Sequence, residues 1–226
     1  MVPRPMRELK KILHKIRKEL TEKEKIKEEA QKQMRKTTSL SKQAILLVHQ
    51  KRNSEAQRLL TEANEAISAL KQLSAKHPDL VYSGFFSAAL QEYAEANIFL
   101  KLTEKLEFVT PEEISVPAVD YVLGLADVIG ECRRRVLDAL REGDIEKGEH
   151  YLRVMDEIYI ELMAMDESYM LVPGLRRKCD IARRIIEITR GDVTQEMCRS
   201  QLEKRLGQLE KRIGSMDRGK KQSKKR

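Results

Sequence analysis

Apolar residues along this chain recur at intervals of three and four and nowhere alternate over a useful length, so the pattern predicts helices and no sheet. The first predicted helix runs from Arg7 to Gln50. Leu9, Ile12, Leu13, Ile16 and Leu20 mark its opening stripe, EKEKIKEEAQKQMRK is almost wholly charged, and Ala44, Ile45, Leu47 and Val48 restore an apolar face. Thr37 to Ser41 is a candidate kink. A second helix, Glu55 to Ala75, follows Asn53 and Ser54 as candidate caps and is stopped by His77-Pro78. The third spans Asp79 to Glu107, with Tyr82, Phe85, Phe86, Ala89 and Tyr93 read as core positions. Thr110-Pro111-Glu112-Glu113 has the cap, proline and acid of a helix start, and the fourth helix runs from Pro117 to Arg141. Asp144 caps a fifth reaching Ser168. A sixth, Leu175 to Arg190, is broken by Gly191, and Asp192 caps a seventh that fades near Ile213. The expectation is an all-α, single-domain bundle of about seven helices over residues 1–214, with a disordered basic tail over 215–226.

Composition agrees with helices: 35% of residues are charged, and there are only ten Gly and six Pro among 226. Charge is unevenly spread. Residues 1–52 carry sixteen Lys and Arg against six Asp and Glu, and residues 199–226 carry eleven against three, so the middle is acidic although the whole is +8. Basic ends suit a polyanion such as nucleic acid, or are simply solvated helices and a solubilising tail. Three cysteines with no CxxC argue against a disulfide frame or a zinc site, and are expected to be buried and inert. No apolar run approaches the roughly 18 residues of a membrane span, and a cytoplasmic protein is expected.

The candidate chemistry lies where cations are missing. No lysine or arginine stands between Lys76 and Lys101, or between Lys105 and Arg133, yet these apolar stretches carry Glu92, Glu95, Asp127 and Glu131. Glu92 and Glu95 are three apart and Asp127 and Glu131 four apart, so each pair shares a helix face. If helices three and four pack antiparallel, the four acids could converge, and an all-oxygen set suits Mg²⁺ or Mn²⁺. A di-iron site is disfavoured because no histidine stands in a Glu-x-x-His arrangement. Most carboxylate pairs at this spacing are merely solvated. Asp120, on the same stripe as Asp127, also reads as a helix-start cap. Arg134 reads either as an on-helix partner of Glu131 and Asp138 or as a phosphate contact.

LQEYAEA at Leu90–Ala96 and PAVDYVLGLADVIGE at Pro117–Glu131 resemble the translin family, in particular its trax (translin-associated factor X) branch. The resemblance covers roughly Arg7 to Met197. It implies helical subunits in a closed octameric shell, binding of RNA or single-stranded DNA, and a metal-dependent endoribonuclease. Its catalytic and metal-holding acids fall on Glu92, Glu95, Asp127 and Glu131. The short link EKLEFVTPEEIS, where eukaryotic trax chains carry a longer insertion, points to a compact prokaryotic or archaeal form that assembles with itself. The expected reaction is in-line hydrolysis leaving 5′-phosphate and 3′-hydroxyl ends, with Mg²⁺ or Mn²⁺ as cofactor. Expected partners are RNA, single-stranded DNA, further copies of this chain or a translin-like second chain. Lys32, Arg35, Lys36, Lys42, Lys51, Arg52 and Arg134 are candidate nucleic-acid contacts. The alternatives are a translin-like binder without turnover and a helical scaffold for an acidic protein.

Overall fold

The computed structural model describes residues 4–78, 84–165 and 169–223. Among these it is helical throughout, as expected, but with six helices: α1 (Arg4–His49), α2 (Asn53–Lys76), α3 (Gly84–Lys105), α4 (Ala118–Arg141), α5 (Ile145–Met163) and α6 (Leu175–Ser223). The predicted sixth and seventh helices are one. Gly191 lies inside α6, and a lone exposed glycine costs a helix only about 1 kcal/mol, too little to break one that is pinned on either side. The pin is Arg133, whose guanidinium donates to Thr189 at 2.6 Å and pairs with Asp192 at 3.1 Å. Asp192 is therefore a tertiary partner rather than a cap. Helix α6 also continues past residue 214 to Ser223, into the stretch expected to be disordered.

The expected single domain is built as two compact units, Met1–Val128 with Glu167–Leu175, and Ile129–Asp166 with Arg176–Arg226. In the first unit α1 packs on α2 and α3. Its core is Ala44, Val48, Leu60, Ile67, Leu70, Leu90, Ile98 and Phe99, the inward stripes of those three helices. In the second unit Gly148 of α5 lies against Leu140 and Val136 of α4; Met155, Ile158 and Leu162 of α5 are buried, as are Cys179, Ala182 and Ile186 of α6. Asp144 caps α5 as predicted, accepting from the Lys147 amide at 3.0 Å. Cys132 and Cys179 are buried, and burial pushes the Cys132 thiol up to about 12, whereas Cys198 is exposed against expectation.

Helices α3 and α4 are parallel, not antiparallel. The Ser87 hydroxyl donates to the Asp120 carboxylate, and Gly124 meets the Gln91–Glu95 stretch, so both contacts advance along the two helices together. The connection is long enough for this. Twelve residues reach up to about 40 Å extended, and a 22-residue helix is about 33 Å long. The link returns along α2 and α3: Lys101 pairs with Glu113 at 3.5 Å, Tyr121 Oη donates to the Val109 carbonyl at 2.6 Å, and Lys71 donates to the Ser115 carbonyl at 2.6 Å. The Thr110–Glu113 capping box forms, with reciprocal bonds of 2.7 and 3.2 Å, but it closes a turn within the link rather than starting α4. The chain then reverses at Ser115, whose φ is +53°.

Gly124 fixes how closely α4 can approach. A Cβ there would stand 2.7 Å from the Gln91 carbonyl oxygen, 2.9 Å from Ala94 Cβ and 3.0 Å from the Glu95 nitrogen. Helix propensity favours Gly124→Ala by about 1 kcal/mol. Overpacking against backbone costs about 1–3 kcal/mol and should win. The urea midpoint of Gly124→Ala is expected to fall below that of the parent; a higher midpoint would mean that α3 and α4 part freely at this point.

Candidate active site and nucleic-acid interface

Each candidate acid lies on one of the two parallel helices. Glu92 and Glu95 are one turn apart on α3; Asp127 is one turn beyond Gly124 on α4, the residue that meets Ala94 and Glu95. Glu95 is 8% exposed, unusual for a carboxylate. Asp127 is half-buried. Glu131 comes one turn later on the same helix, in the part that belongs to the second unit.

Glu92 does have a cation. Lys42 of α1 reaches across to it, Nζ to Oε1 3.2 Å, with the carboxylate 28% exposed. The gap in basic residues along α3 is thus filled from fifty residues upstream, which a reading confined to neighbouring sequence does not reveal. The four carboxylates have the chemistry of a hard divalent cation site, with no thiolate or imidazole among them. Geometry does not match that chemistry. Among the described residues no three His, Cys, Asp or Glu side chains are gathered to hold a metal ion, and Glu92 is engaged by Lys42.

Asp120, read as a candidate cap, is instead a buried peg between α3 and α4. It is 6% exposed, accepts from Ser87, and lies in a network in which Gln91 donates to the Ser87 hydroxyl at 3.0 Å. Burial raises its carboxyl pKa above the usual value of 3.8, against the lowering effect of Ser87 and Gln91. This peg and the Gly124 contact set the register of the acid-bearing faces.

All seven candidate nucleic-acid contacts are exposed. Arg52 is held by Glu55 through bonds of 2.7 and 2.6 Å, and Lys32 lies 4.0 Å from Glu29. Arg35 and Lys42 share a groove of about 570 Å³ with Met34, Thr38, Ser39 and Ala88, which joins the basic face of α1 to the helix that carries Glu92. Lys36, Lys51 and Arg134 do not line it.

The translin family pattern matches residues 23–187. An uncharacterised protein of Methanocaldococcus jannaschii is 35% identical over 176 residues, 77% of this chain and 78% of that protein. Among solved structures, AfC3PO in complex with duplex RNA superposes with a TM-score of 0.73 at 33% identity, covering 82% of this chain and 96% of that one. AfC3PO alone gives 0.71 at 33% identity, covering 82% and 97%. Apo-NeC3PO, 23% identical, shares the fold with a TM-score of 0.72 over 87% and 98%.

The raised Asp120 pKa has a definite sign. The folded state holds this proton more tightly than the unfolded chain, so the contribution is full below pH 3.8 and is lost as pH rises through the folded value. Asp120→Asn keeps an acceptor for Ser87 and removes the charge. Its stability relative to the parent, measured by urea denaturation from pH 3.5 to 7, should improve with rising pH. A constant difference would show that Asp120 titrates alike in both states.

Proposed function

The chain belongs to the translin family, and on that premise we propose that it is an RNA-binding oligomer of the trax type that hydrolyses RNA at Glu92, Glu95, Asp127 and Glu131. The observation that supports the reading is the parallel register of α3 and α4, in which Gly124, one turn before Asp127, lies against Ala94 and the backbone of the buried Glu95. The similarity to a C3PO structure solved with duplex RNA supports RNA as the substrate, and single-stranded DNA is a further ligand to test. Mg²⁺ or Mn²⁺ is the proposed cofactor. Glu92 is paired with Lys42, which also lines the adjoining groove, so a cation held by Glu92 would compete with that lysine. Assembly into an octameric shell, of this chain alone or with a translin-like second chain, is part of the proposal.

A second reading, RNA binding without turnover, is favoured by the Lys42–Glu92 pair and by the lack of a gathered three-ligand group among the described residues. Purified protein incubated with RNA in Mg²⁺ or in excess EDTA separates the two. The hydrolytic reading expects cleavage only with Mg²⁺. Asp127→Asn and Glu92→Ala should lower cleavage by roughly 10²-fold or more while leaving RNA affinity, with its steep salt dependence, within a few-fold. Undiminished cutting by these variants would mark a contaminant, and tight binding with no cutting by the parent would establish the second reading.

A further inference from the structure

Two apolar stripes lie outside the part of the chain that matches the family, residues 23–187, and the fold of the chain covers neither. Near the start of α1, Met6, Leu9, Leu13, Ile16 and Leu20 are 44–60% exposed; near the end of α6, Leu202, Leu206 and Leu209 are 50–58% exposed. Single exposed leucines need no explanation, but periodic ones mark an interface. The steps along α1 are three, four, three and four, and along α6 four and three, which is the heptad alternation of a coiled coil. Met6, Leu13 and Leu20 take position a and Leu9 and Ile16 position d; Leu206 takes a, and Leu202 and Leu209 take d.

The flanking charges choose the partner. In an antiparallel pair, e faces e and g faces g. The e positions of the α1 stripe are Lys10 and Arg17, and those of the α6 stripe are Glu203 and Glu210; the g positions are Ile12 and Glu19 on α1 and Arg205 and Arg212 on α6. Two α1 segments run antiparallel would oppose Lys10 and Arg17 to their own copies, and run parallel would oppose Glu19 to Glu24. One α1 against one α6 opposes unlike charges at three of the four flanking positions, the fourth setting Ile12 beside Arg212. A single antiparallel register stacks Leu20 on Leu202, Ile16 on Leu206 and Leu13 on Leu209, with Arg17 beside Glu203, Lys10 beside Glu210 and Glu19 beside Arg205. The present partners of two of these acids, Lys23 for Glu19 and Arg199 for Glu203, are exposed on-helix pairs that exchange readily.

We propose that residues 6–20 of α1 in one copy of this chain zip with residues 202–212 of α6 in a second copy as a short antiparallel coiled coil. Both stripes are exposed, and their complementary charges make a second copy of this chain the occupant. In a twofold pair each copy's α1 meets the other's α6, which doubles the apolar layers and closes the contact. Parallel pairing of two α6 stripes would also match charges, Arg205 with Glu210, but would leave the α1 stripe uncovered.

Coexpression tests this without relying on mass. One chain carries Leu13→Cys and the other Leu209→Cys, both with Cys198→Ser, since Cys132 and Cys179 are buried. After mild oxidation, non-reducing gels should show at least tenfold more covalent dimer from the mixture than from either variant alone. Arg17→Glu in the first chain should lower that yield severalfold, and Glu203→Arg in the second should restore it. All five positions are exposed, and circular dichroism checks that the helices are retained. Self-crosslinking of either variant to the level of the mixture, no crosslinking in the mixture, or indifference to the charge swap would overturn the proposal.

Discussion

The close approach of α4 to α3 at Gly124 is the constraint on which the candidate site depends. Two helices bearing carboxylates on their facing flanks have no reason to come together, because burial penalises each charge and proximity penalises the pair. Removing one side chain lets backbone meet backbone at Gln91, Ala94 and Glu95, where any larger residue would hold the helices apart. The Asp120–Ser87–Gln91 network pegs the register one turn earlier. A steric permission and a polar peg thus fix the register of the two acid-bearing helices, in a parallel pairing that the link of twelve residues is just long enough to allow.

The partner of Glu92 comes from α1. Its long basic helix is not only a candidate surface for nucleic acid. Through Lys42 it supplies a cation to Glu92, in a stretch of α3 with no basic residue of its own before Lys101, and it opens a groove lined by Arg35 and Lys42. The same lysine therefore has two possible anionic partners, a carboxylate and a phosphate. On the proposed hydrolytic reading that competition couples RNA binding to the readiness of the acids, since whatever draws Lys42 away frees Glu92.

The helical class and most helix boundaries were legible because amphipathic periodicity is local: Asp144 as a cap, the span of α2 and the course of α1 could all be read from neighbours in sequence. The candidate acids were legible through their setting, apolar stretches with no adjacent cation, and through the LQEYAEA and VDYVLGLADVIGE strings. What failed was tertiary. Gly191 reads as a break only if Arg133, more than fifty residues away, is ignored. Capping chemistry at Thr110 is real, yet it closes a turn, because a capping box fixes three residues and does not commit the next ones to a helix. Parallel pairing and the Lys42–Glu92 bridge depend on separations of about thirty and fifty residues, beyond any periodicity. The α1 stripe was visible in the sequence as apolar spacing, but only its exposure in the folded chain showed it as surface; the α6 stripe went unread.

The central claim is that Glu92, Glu95, Asp127 and Glu131 take up one divalent cation site despite Lys42. Iron-directed cleavage of the polypeptide addresses it without reference to RNA. Protein equilibrated with Fe²⁺ and treated with ascorbate and peroxide should be cut near residues 92–95 and 127–131; Mg²⁺ should compete the cuts away and Asp127→Asn should abolish them. Cuts elsewhere in the chain, or none that Mg²⁺ protects, would contradict the account.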